Sequence, residues 1–168
     1  MFGPQLRGLN IISKIFLSNK NFSTDFISFI ADNNLNTIDS LILWNEAKVL
    51  ECIKSYINAI RYKNADSIAS FTNSTLDLYI SSKNEFNLFF KVIKKFIKLL
   101  SMQNESIDSK IGFNEFEELA SIVSSKYTNM NHVELVKNIE DFHQSLDANA
   151  NPQLSLMNMI INSNKALN

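Results

Sequence analysis

Few side chains in this sequence are suited to chemistry, and their spacing limits what they can do. His132 and His143 stand eleven residues apart near opposite ends of one expected helix, so they cannot share a metal ion on one face. Glu134 and Glu140 neighbour them but give no metalloenzyme spacing. The chain has one cysteine, Cys52, which excludes an internal disulfide and a cysteine-based zinc site. Cys52 lies beside the apolar stripe of its helix with no histidine or basic cluster adjoining, so it reads as a packed thiol rather than a nucleophile. The carboxylate pairs Glu117-Glu118 and Glu140-Asp141 are adjacent on helices, point to different azimuths and read as solvated surface. A phosphate-binding loop needs clustered glycines, whereas Gly3, Gly8 and Gly112 are isolated and no lysine follows a glycine run. The expectation is therefore a chain without catalytic, cofactor-binding or metal-ligating residues, and without a small-molecule substrate.

Three features admit a functional reading. Lys91, Lys94, Lys95 and Lys98 line one side of a helix; they are either its ordinary polar side or a contact for nucleic acid or an anionic membrane. Phe86 through Phe96 form a wide aromatic face that suits a domain core better than a lipid-inserting surface. Trp44 near a helix break is a core anchor or an interface hot spot.

Helices must position these residues. Apolar residues recur at a spacing of three and four along most of the chain. A first short helix is expected over Leu9 to Leu17. A second, capped by Ser23 or Thr24, runs to Asn33 or Asn34, and a third carries Ile38, Leu41, Ile42 and Trp44. With Asn45 as a candidate interruption, a long helix follows over Ala47 to Arg61. Asp66 is the expected cap of a helix from Ser67 to Ile80. Glu85 to Leu100 is the most strongly patterned helix, followed by a polar connector over Ser101 to Lys110. Phe113 to Ser125 places Phe116, Leu119, Ala120, Ile122 and Val123 inward.

The chain ends in a helical hairpin. Asn131 caps its first helix, with Glu134 as a capping-box partner and Val133, Val136, Ile139, Phe142 and Leu146 as the buried stripe. Asn149 can close that helix in a left-handed conformation. Asn151 can cap the next, with Pro152 at its first position, where no hydrogen bond is lost. Leu154, Leu156, Met157, Ile160 and Ile161 form its expected inner face.

Composition agrees with this reading. At 168 residues, 45% of them hydrophobic, the chain can bury a core without metal or disulfide support. Three glycines and two prolines leave few breakers, which argues against a loop-rich β fold. A net charge of −1 gives no global basic field for a phosphate backbone. Apolar runs are far short of a membrane span, the start lacks signal-peptide character, and a lone cysteine suits a reducing cytoplasm. The abundance of asparagine, isoleucine and lysine reads as coding bias of an AT-rich genome.

The run Leu146-Asp147-Ala148-Asn149-Ala150-Asn151-Pro152-Gln153-Leu154-Ser155-Leu156 resembles the end of bacterial clamp-loader subunits of DNA polymerase III, the delta-prime type above all. Those chains often finish with a leucine, an Asn-x-Asn turn, then Gln-Leu and an apolar helix. Upstream, the stretch from Phe29 to Leu41 resembles the family's lid-domain segment, with Asn33 in place of a glycine and Ile38 in place of an alanine. Asn36 stands where nucleotide-sensing members carry an arginine, as in a subunit that does not rely on ATP hydrolysis. With the order of the two matches and the long helices between them, the resemblance covers about residues 10 to 165; the family's ATPase-like first domain has no counterpart in this sequence. The resemblance implies an all-α chain with a lid-like segment over residues 1–45 and a collar-like helical bundle over 46–168. It also implies a non-catalytic cytoplasmic role. The partners would be other clamp-loader subunits, with DNA contacted only indirectly and no membrane. Asn149, Asn151, Pro152, Gln153 and Leu154 would serve as the fold or subunit-packing motif.

Overall fold

Asparagine side chains start four of the helices. A helix leaves its first N–H groups without internal partners, and a side-chain oxygen one residue ahead can accept from one of them. The Oδ1 atoms of Asn45, Asn64, Asn131 and Asn151 accept from the backbone N–H of Lys48, Ser67, Glu134 and Leu154, at 2.8, 2.7, 3.0 and 3.0 Å. The asparagine content thus carries structural information that coding bias alone would not.

The computed structural model describes residues 25–26, 45–61, 64–104 and 113–167. The helices expected before Asn45 lie outside the described residues apart from Asp25 and Phe26. So do Trp44, the lid-like stretch from Phe29 to Leu41 and the three glycines. The described residues form helices and no strand. In order, the helices that follow Asn45 are α1 (Glu46–Ile60), α2 (Ala65–Ser81), α3 (Lys83–Asn104), α4 (Asn114–Lys126), α5 (His132–Asp147) and α6 (Pro152–Lys165).

Several expectations are corrected. Asn45 is non-helical, and its extended backbone lets its side chain cap the first turn of α1, which begins at Glu46, one residue ahead of the expected Ala47. Asn64, not Asp66, caps α2, so Ala65 and Asp66 are already helical. The helix α3 continues through Ser101 to Asn104, where a connector was expected. Only Ser82 separates α2 from α3; its hydroxyl accepts from the Glu85 N–H at 3.3 Å.

Helix α3 is the hub and packs on α1, α2, α4 and α5, while α6 packs on α5, α2 and α1. A helix surrounded by others must be apolar on nearly every side. Besides the expected face, Leu88, Val92 and Leu99 are buried, which leaves only a narrow solvent stripe. Aromatic rings hold the hub. Phe86 and Phe90 meet Phe142 of α5 at 6.1 and 5.4 Å, Phe89 meets Phe71 of α2 at 5.8 Å, and Phe96 meets Phe116 of α4 at 5.4 Å. Phe26, from the segment expected to be lid-like, is fully buried with its ring edge-on to Phe113 at 5.3 Å.

The buried stripes also shift. Leu135 and Asn138 are buried on α5, whereas Val133 is 79% exposed. Met159 and Ser163 join Leu156 and Ile160 inside α6, while Leu154 is 65% exposed and Ile161 is also at the surface. Ile122, expected inward on α4, is exposed. Each of these belongs to an apolar stripe wider than the partner surface that its helix meets.

Candidate interaction surface

The C-terminal turn is built as a closed helix stop followed by a helix start. Asn149 has a φ of 58°, in the left-handed region that asparagine tolerates best among residues with a Cβ. The Asn149 N–H donates to the Leu146 carbonyl at 3.0 Å and the Ala150 N–H to the Ser145 carbonyl at 2.9 Å. This pair of bonds is the Schellman stop, which satisfies carbonyls that the helix end leaves open. Asn151 then caps α6 through Leu154 N–H, with Pro152 at its first turn. Gln153 and Leu154 face solvent.

The other end of the hairpin is tied differently from expectation. A capping box would place the Glu134 carboxylate on the Asn131 N–H. That N–H instead donates to the Ala166 carbonyl at 2.8 Å, which links the start of α5 to the end of α6.

A second surface runs between α3 and α5. The ring contacts place Phe86 and Phe90 beside Phe142 and His143, and one hollow joins Ile97 and Ser101 to Val133 and Val136. The two helices are therefore antiparallel with a trough along their shared edge. At one end the trough is lined by Lys91, Phe90 and His143. It continues as a hollow of about 1000 Å³ floored by Ile97, Met130 and Val136. Lys94 and Glu140 line both parts. Lys91 and Lys98 are exposed, whereas Lys94 and Lys95 are half-buried, so the four lysines do not make a uniform polar face.

The two histidines stand apart. His143 packs at 4.9 Å from Phe90, and its Nδ1–H donates to the Ile139 carbonyl at 2.8 Å. A carbonyl can only accept, so Nδ1 carries a proton in this contact. His132 lies at the far end of the trough. Cys52 is buried, with Sγ 4.0 Å from the Phe89 carbonyl oxygen. Burial pushes its thiol well above the usual range; Lys48 pulls it down less strongly, and Glu51 adds to the rise. A thiol held neutral in this way is a poor nucleophile. Among the described residues no three histidine, cysteine, aspartate or glutamate side chains group as a metal site. Glu117, Glu118, Glu140 and Asp141 remain on helix surfaces, as their spacing suggests. Among the described residues no helix is long and apolar enough to cross a membrane.

These features define an all-helical bundle with a structured terminal turn and a cationic trough. Compared with protein-family models, curated proteins and solved structures, the chain has no match.

Proposed function

We propose that this chain is a non-catalytic component of a bacterial DNA polymerase III clamp loader, contributing a collar-type bundle that packs beside the bundles of other subunits. One observation carries the reading. The Asn149–Leu154 run, on which the resemblance rests, forms a tightly bonded turn yet leaves Leu154 65% exposed. A leucine held outward on the first turn of α6, beside a closed helix stop, is available to a neighbouring subunit. In this reading Asn149, Asn151 and Pro152 fix the turn, while Gln153 and Leu154 present the contact.

Co-expression with the remaining clamp-loader subunits of one bacterium tests this. The expected result is co-elution in a stoichiometric complex that Leu154→Asp weakens without unfolding the chain. Elution of the folded chain on its own would sink the proposal.

A further inference from the structure

We infer that the trough between α3 and α5 is a docking site for an acidic, amphipathic helical segment of a partner protein. The inference goes beyond the clamp-loader reading and does not depend on it.

Charge comes first. Among the described residues the lining carries four lysines, at 91, 94, 98 and 137, against the single carboxylate Glu140. Lys48 and Glu85 pair at 3.3 Å outside the trough. Four cations against one carboxylate in the lining, on a chain whose net charge is −1, give this trough a positive balance, although Lys137 also borders Glu134 and Asp141 on the other side of α5. Lys91, Lys94 and Lys98 follow a three-then-four spacing, so they share one edge of α3, and Lys137 stands across from them on α5.

The floor comes second. The apolar surface that a ligand can reach is Val133, 79% exposed, and the half-buried Val136 one turn apart on α5, with Ile97 and Met130 almost closed beneath them. A nucleic-acid backbone gains nothing from these valines, and Phe90, the phenylalanine that lines the trough, is 1% exposed and offers no face for base stacking. A bilayer needs a protruding apolar surface, whereas this one is concave with lysines along its edge. An amphipathic helix satisfies both parts: apolar residues enter the trough while flanking carboxylates meet the lysines.

Length comes third. From Asn87 to Ser101 the trough follows fourteen residue steps of α3. At 1.5 Å per residue it is about 21 Å long, which seats about four helical turns.

The test uses the full chain and a fluorescein-labelled peptide of about fifteen residues with leucines at i, i+3, i+4 and i+7 and glutamates elsewhere. Anisotropy is expected to show saturable binding that weakens at least tenfold with Lys94→Glu plus Lys98→Glu. Val133→Asp should also weaken binding, and so should raising the salt from about 50 to about 500 mM. Circular dichroism confirms that these variants remain folded. The inference is overturned if the peptide does not bind or if a scrambled peptide of the same composition binds equally. It is also overturned if a single-stranded oligonucleotide or a phosphatidylserine vesicle binds as tightly with the same lysine dependence.

Discussion

The hydroxyl of Tyr56 lies 3.5 Å from the hydroxyl oxygen of Ser163, joining the middle of α1 to the last turn of α6 where neither residue is exposed. At that length the bond is weak, and the dominant effect on the phenol is burial. Burial pushes the Tyr56 hydroxyl up to about 12, partly offset by Ser163, which favours the charged form.

The sign of the pH dependence follows. Between the ordinary tyrosine range and about 12 the unfolded chain has lost the Tyr56 proton while the folded chain keeps it. Stability from this group is complete below pH 10 and falls as pH rises toward 12. Two pH units of difference correspond to about 2.7 kcal/mol at most. Tyr56→Phe should remove this part of the alkaline loss, while the lysine titrations remain in both chains. Urea unfolding at pH 8, 10 and 11.5 checks it; parallel losses in both chains would contradict the assignment.

Asn164 repairs the end of a distant helix. Its Nδ2 donates to the carbonyl of Ile60, the last residue of α1, at 2.6 Å. Asn164→Leu removes the donor and leaves that carbonyl open, at an expected cost of about 1–2 kcal/mol. The urea midpoint should fall with an unchanged slope. An unchanged midpoint would mean that solvent satisfies the carbonyl equally well.

Thr75 presents the opposite case. It is fully buried, and among the described residues its hydroxyl has no hydrogen-bond partner. Its position within α2 suits a β-branched side chain of the same shape. Thr75→Val removes an unsatisfied polar group at nearly constant volume, so stability should rise by about 1–2 kcal/mol. A fall of similar size would reveal a partner, such as a buried water, that the hydroxyl depends on.

How far the sequence predicts this architecture varies with the kind of signal. Helix starts at Asn131 and Asn151 and the stop at Asn149 are local, and the structure has all three where they are expected. Local rules missed Asn64 because Asp66 is an equally good cap by type, and only the chain path distinguishes them. Burial faces depend on neighbours that no local pattern names. Leu135 rather than Val133 faces inward on α5, since both fit an apolar stripe and the positions of α3 and α6 decide. The trough is less legible still. Its lysines on α3 are evident as a series, but their pairing with Val133 and Lys137 requires α3 and α5 to lie antiparallel. The signal that would have found it is the mixture of an exposed valine and a lysine one turn apart on α5.

The terminal turn allows its fold role and its contact role to be separated. A β-branched residue in the left-handed region costs about 1–2 kcal/mol, so Asn149→Val should lower stability by about that amount. Asn149→Gly should hold or raise stability, because glycine has no Cβ to strain at a φ of 58°. Asn151→Ala loses the acceptor for the Leu154 N–H and should cost about 1 kcal/mol. Leu154→Asp, at a side chain 65% exposed, should change stability by no more than about 0.5 kcal/mol. If Leu154 packs on a neighbouring subunit, it alone among these positions affects assembly at constant stability. Thermal melts read the first three effects, and co-elution with partner subunits reads the fourth. Destabilisation by Leu154→Asp comparable to Asn149→Val would instead place Leu154 among the residues that hold the hairpin together.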